Sequence, residues 1–139
     1  MLPRSPAQVP LVILDDDPAV VSALSQTLGA ALQVRVEGFT EGGAAMEWLS
    51  HHATDLLITD YLMPGPTGLD VVRWLRAQPN HLSTPVLMLT GVESATLTAA
   101  AIAAGVTRIL TKPLRTECLL REVEQLLRPQ LPAPEIVPA

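Results

Sequence analysis

A chain of 139 residues, 48% hydrophobic and 17% charged, suits one folded domain and is too apolar for global disorder. Its formal net charge of −5 comes with scattered arginines, which disfavours a general nucleic-acid surface built on a basic stripe. The single cysteine, Cys118, forbids an internal disulfide and suits a reducing compartment. It stands among leucines and is expected to be a small core hydrophobe. No apolar run reaches the length of a membrane span, and Pro3, Pro6 and Pro10 break a signal-peptide pattern. A cytoplasmic location without membrane contact is the expectation.

Residues 1–10 read as a flexible, proline-punctuated lead-in. Leu11-Val12-Ile13-Leu14 is a buried-strand run ending on Asp15-Asp16-Asp17. Asp17 suits an N-cap and Pro18 the first helical position. Val20, Val21, Leu24 and Leu28 mark one face of the helix behind them, with Gly29 near its end. Gln33 to Phe39 alternates like a strand near a sheet edge. Thr40 is the expected cap of a helix carrying Ala44, Ala45, Trp48 and Leu49. Leu56-Leu57-Ile58 is a third strand run and ends on Asp60. Pro64, Gly65, Pro66 and Gly68 then force a turn, and Leu69, Val72 and Leu75 line the next helix. Pro85 introduces the strand Val86-Leu87-Met88-Leu89, ended by Thr90-Gly91. An alanine-rich helix from about Ser94 to Ala104 closes at Gly105. Arg108 to Thr111 is a short strand before Lys112-Pro113, and Leu119, Leu120, Val123, Leu126 and Leu127 line the last helix. The domain is expected over 11–128, with 129–139 a proline-rich linker or tail.

Strands alternating with helices predict an α/β fold: one five-stranded parallel sheet, doubly wound, with helices on both faces. All strand carboxyl ends then point to one edge, where such sheets place their chemistry. Asp15, Asp16, Asp60, Thr90 and Lys112 would meet there. Read alone, Asp60 could also be a helix cap. Three close carboxylates repel and want a cation, and an all-oxygen site with few protein ligands suits magnesium. Lys112, the chain's only lysine, makes sense beside that cation if a phosphoryl group brings further negative charge.

The ordered set Leu11-Val-Ile-Leu-Asp15-Asp16-Asp17-Pro18, Asp60 with Met63-Pro64 and Gly68, Leu89-Thr90-Gly91, Ala104-Gly105 and Lys112-Pro113 resembles a bacterial two-component response-regulator receiver domain. The resemblance implies a flavodoxin-like sheet in the order 2-1-3-4-5, the doubly wound order known from this family. It implies a phosphoacceptor switch and no separate enzyme. Asp60 would take the phosphoryl group from a sensor histidine kinase or a phosphotransfer protein. Asp15, Asp16, Asp60 and the backbone carbonyl of Leu62 would hold Mg2+. Lys112 would pair with the phosphoryl group and the Thr90 hydroxyl would hydrogen-bond it. The implied readout runs through the last two helices and strand, toward an output domain or a second copy. No direct contact of this domain with nucleic acid is implied. The resemblance also makes Leu62 and Val92 the residues that flank the approach of water to the phosphorylated site.

Three positions depart from the family pattern. Ile109 replaces an aromatic that rotates inward with the threonine, Leu114 replaces a phenylalanine, and Gly91 stands where alanine is common. Two other functions match parts of the pattern. A receiver-shaped module could bind a partner constitutively. Asp15-Asp16-Asp17 also echoes the nucleophile loop of haloacid-dehalogenase-like phosphatases, but that family needs an acidic pair at the end of a later strand, no strand is expected after Lys112, and Asp60 would be left over. His51 and His52 are adjacent and do not share a helix face. His81 is expected in a loop without ligand-type neighbours. Trp48 and Trp74 are expected to pack, and Tyr61 to be a partly exposed reporter beside Asp60.

Overall fold

The computed structural model of the chain describes residues 9–127. Most of the expected lead-in and the whole expected tail lie outside the described residues. Within them, five strands alternate with α-helices. The strands are β1 Leu11–Leu14, β2 Val36–Phe39, β3 Leu57–Asp60, β4 Val86–Thr90 and β5 Arg108–Thr111. The helices are α1 Pro18–Leu32, α2 Gly42–Leu49, α3 Gly68–Arg76, α4 Ala95–Ala104 and α5 Thr116–Leu127. All strand pairs are parallel, in the order β2-β1-β3-β4-β5. This is the predicted sheet.

The period of two along the strands divides the core. Leu11, Ile13, Ile58, Leu87 and Leu89 face one layer, where Leu28 of α1 and Leu119, Val123 and Leu127 of α5 meet them. Val12, Leu14, Leu57, Val86 and Met88 face the other, against α2, α3 and α4. The three central strands are therefore apolar on both sides, as the uninterrupted runs required. β2 and β5 are edge strands and are only half-buried.

Local chemistry sets the ends of the helices. Asp17 caps α1 by accepting from the Ala19 N–H at 2.9 Å. Thr67 and Asp70 form a reciprocal capping box at α3, and the Ser94 hydroxyl accepts from Leu97 N–H at α4. α4 ends on Gly105 with φ 109°, a conformation that favours glycine.

Several expectations are corrected. α1 runs past Gly29 to Leu32, because Ala30, Ala31 and Leu32 are good helix formers and Leu32 packs on the core. The turn falls on Gln33, left-handed at φ 55°, so β2 begins only at Val36. Glu41, not Thr40, holds the cap position of α2, without a side-chain cap bond. Cys118 is exposed: α5 buries the stripe Leu119, Val123 and Leu127, and position 118 falls one helical step off it. His81 belongs to a 3-10 turn, Pro79–His81, and is buried. Its Nε2 lies 2.8 Å from the Leu49 carbonyl and its Nδ1 3.1 Å from Thr84 Oγ1. Trp48 and Trp74 pack against the core, as expected. His52 stacks on Trp48 with ring centroids 4.2 Å apart.

Candidate functional site

Parallel pairing brings the carboxyl ends of β1, β3, β4 and β5 to one edge of the sheet. Asp15 follows β1, Asp60 ends β3, Thr90 ends β4 and Lys112 follows β5. One oxygen each of Asp15, Asp16 and Asp60 lie within 4.8 Å of one another. Asp15 is buried, Asp60 half-buried and Asp16 exposed, so the cluster has a closed floor and an open side.

Lys112 enters this cluster from β5. Its Nζ stands 3.3 Å from Asp60 Oδ1 and 3.6 Å from Asp15 Oδ2. One ammonium against three carboxylates leaves the cluster net negative. Its main chain is fixed as well: the Lys112 N–H donates to the Thr90 carbonyl at 2.7 Å. Asp60 Oδ1 also accepts from the Tyr61 N–H at 2.9 Å.

Asp15 bears an electrostatic cost. Burial pushes its carboxyl pKa up from the ordinary value, and the charges of Asp60 and Asp16 push the same way. The Asp17 N–H, which donates to Asp15 Oδ1 at 2.9 Å, and Lys112 oppose the rise only in part. Asp15 Oδ2 is buried and accepts no hydrogen bond; its Lys112 contact is an ion pair beyond hydrogen-bond length. A buried acceptor of this kind asks for a further partner. A hard divalent cation fits: the donor set is all oxygen, three carboxylates converge, and the exposed side at Asp16 leaves room for the waters that magnesium retains.

The loop after β3 is built around a close approach. The Gly68 N–H donates to the Tyr61 carbonyl at 2.9 Å, and a Cβ at Gly68 would collide with the Asp60 carbonyl oxygen. Glycine at 68 thus lets α3 start directly over the end of β3.

The remaining expected residues sit around the cluster. Thr90 is buried, and its hydroxyl accepts from the Val92 N–H at 3.0 Å. Gly91 borders open space on its side-chain side. Leu62 and Val92 are large apolar side chains exposed at 69% and 52%, on the loops after β3 and β4. Ile109 does not join the acids; it pairs with Met88 across β4–β5 and packs on the core beneath α4. Leu114 packs on the opposite layer. His51 pairs with Glu47, at 3.5 Å. Sequence reasoning passed over Thr59. It is fully buried, and its hydroxyl donates to the Asp60 carbonyl at 2.9 Å. The signal was a hydroxyl inside an otherwise apolar strand, one residue before the acid.

Residues 11–124 match the family model described as the response regulator receiver domain. Among curated relatives, the chain is 34% identical over 119 residues to the cyclic di-GMP phosphodiesterase response regulator RpfG of Xanthomonas campestris, covering 85% of this chain and 32% of that protein. It is 34% identical to the response regulator protein TodT of Pseudomonas putida, covering 85% of this chain and 51% of that one. The chain thus spans a third to a half of these relatives. Among solved structures, chemotaxis protein CheY4 of Vibrio cholerae superposes with a TM-score of 0.82 at 31% identity, over 87% of this chain and 100% of that one. A response regulator from Chloroflexus aurantiacus gives 0.80 at 30% identity, over 86% and 98%. Together with the sheet order and the acidic edge, these matches carry one conclusion: the chain belongs to the response regulator receiver domain family.

Proposed function

We propose that this domain is a phosphoacceptor switch whose acceptor is Asp60. The observation that carries this reading is the convergence of Asp15, Asp16, Asp60 and Lys112 at one sheet edge. In the transfer, an Asp60 carboxylate oxygen attacks phosphorus. The new O–P bond forms as the P–N bond of the kinase's phosphohistidine breaks, and the imidazole leaves with the bonding pair. The product is a mixed anhydride. Catalysis of such a step is mostly positioning and charge neutralisation. Lys112 supplies a mobile cation already within reach of the acceptor. Asp15, Asp16 and Asp60, with the Leu62 carbonyl, are the groups that would hold magnesium, which when bound supplies Lewis-acid neutralisation of phosphoryl charge. The domain changes its own phosphorylation state and turns over no separate substrate.

The readout assigned to this chain runs through Thr90. Its hydroxyl now engages the Val92 main chain; a phosphoryl group on Asp60 offers it a stronger, charged acceptor. Moving Thr90 pulls on the loop into α4, a two-state element biased by local charge. Ile109, at the usual aromatic position, lines a groove of about 240 Å³ with Thr98, Ile102, Val106, Thr107 and Arg108. This face of α4, β5 and α5 is the one assigned to an output domain or a second copy. A beryllofluoride mimic should change sedimentation or amide-exchange protection there. Unchanged values would favour constitutive binding. Among the described residues no helix is long and apolar enough to cross a membrane, in keeping with a cytoplasmic partner kinase domain.

The test of the acceptor is intact-mass spectrometry. With magnesium and acetyl phosphate the protein gains one base-labile phosphoryl group, and Asp60→Asn gains none. Equal modification of the Asn variant would remove Asp60 from the role.

A further inference from the structure

We infer that Thr59 is a positioning residue for the phosphoacceptor, acting through the peptide bond between Asp60 and Tyr61; this rests on the phosphoacceptor reading above. Thr59 is fully buried in β3. Its register partners are Leu14 on β1 and Met88 on β4. A hydroxyl in such surroundings is unfavourable unless it is hydrogen-bonded. Its Oγ1 donates to the Asp60 carbonyl at 2.9 Å. The same carbonyl oxygen lies against Gly68, where a Cβ would collide with it. The carbonyl is therefore fixed by a donor and by close packing.

The consequence passes along a planar group. A peptide unit is rigid, so holding its C=O also sets the direction of its N–H. In this unit the N–H belongs to Tyr61. It is shared between the Leu89 carbonyl at 3.0 Å and Asp60 Oδ1 at 2.9 Å. Lys112 Nζ reaches the same Oδ1 at 3.3 Å. The chain of constraint runs from the Thr59 hydroxyl to the peptide plane, to the Tyr61 N–H and to the carboxylate rotamer. An acceptor held in one orientation reacts faster than one that must be ordered in each encounter. The bland account is that the hydroxyl only satisfies itself. The two accounts differ in what happens to Asp60 when the hydroxyl goes.

The test compares Thr59→Val, which keeps the shape and loses the donor, with Thr59→Ser, which keeps the donor. The full chain is phosphorylated with acetyl phosphate in saturating magnesium, and the rate is followed by mass. The Val variant should be slower at saturating donor by about tenfold, with the half-saturating donor concentration unchanged. The Ser variant should return to within about twofold of native. In the unphosphorylated protein, the Tyr61 amide proton should move upfield in the Val variant and stay in the Ser variant. If the Val variant does not fold, Thr59→Ala carries the same expectations. Native rate and native Tyr61 resonance in the Val variant would overturn the proposal, as would a Ser variant as slow as Val. A native chain that gains no phosphoryl group overturns the phosphoacceptor reading instead, while the Tyr61 resonance still decides whether Thr59 orders the carboxylate.

Discussion

A chain carrying Leu62→Asn together with Val92→Glu loses its phosphoryl group at least about tenfold faster than the native chain. Hydrolysis of the mixed anhydride needs a water in line with phosphorus: the water O–P bond forms, the acyl O–P bond breaks, and Asp60 leaves as carboxylate. Leu62 and Val92 lie on the loops after β3 and β4, at the sheet edge that carries the cluster, and are exposed at 69% and 52%. Neither side chain can accept or donate a hydrogen bond. A water near them would be neither oriented nor deprotonated. The native domain is thus expected to hold its phosphoryl group for long, as a sustained output would need. Asn and Glu supply groups that orient water, and orientation accounts for much of the barrier lowering in such steps. Decay of a radiolabelled or mass-resolved phosphoryl group checks this in both proteins. Loss within seconds from the native chain, or equal decay in the two, contradicts it.

Asp15→Asn raises the melting temperature of the metal-free protein by a few degrees, as small stability gains do in a domain of this size, and abolishes its stabilisation by magnesium. Burial, then the charges of Asp60 and Asp16, raise the Asp15 pKa in the folded state. The folded protein therefore holds this proton more tightly than the unfolded chain does. Below the ordinary carboxylate value there is no penalty. The penalty builds as pH rises from there through the raised folded value, and it is complete above it. At neutral pH the ionised group destabilises the fold. Asn keeps an oxygen for the Asp17 N–H and removes the charge. Magnesium is expected to stabilise the native protein, because it would bind the folded acidic cluster and not the unfolded chain. The native melting temperature should rise with added magnesium, and the variant's should not. A variant that melts below native without metal, or that still responds to magnesium, contradicts this account.

The sheet was legible because its three inner strands are uninterrupted apolar runs. Leu11 to Leu14, Leu56 to Ile58 and Val86 to Leu89 have no other stable use in a chain this short. The acidic edge followed from topology alone, since parallel strands send Asp15, Asp60, Thr90 and Lys112 the same way. Ends and faces were less legible. Gly29 looked like a stop, yet Leu32 gains more from packing on the core than the helix loses. Cys118 looked buried because its neighbours are apolar, although helical phase separates it from Leu119. The roles of His81 and Thr59 were hard to read for a common reason. Each bonds a main-chain carbonyl, of Leu49 and of Asp60, and no side-chain pattern announces a bond to the backbone. The 3-10 turn that carries His81 is set by these tertiary bonds more than by its own sequence.

Reductive trapping tests the central assignment most directly. Borohydride converts an aspartyl phosphate to homoserine, and peptide mass spectrometry locates the converted residue. After treatment with magnesium and acetyl phosphate, the account predicts homoserine at position 60 and at neither 15 nor 16. Homoserine at position 15 or 16, or a phosphoryl group that survives borohydride, would contradict it.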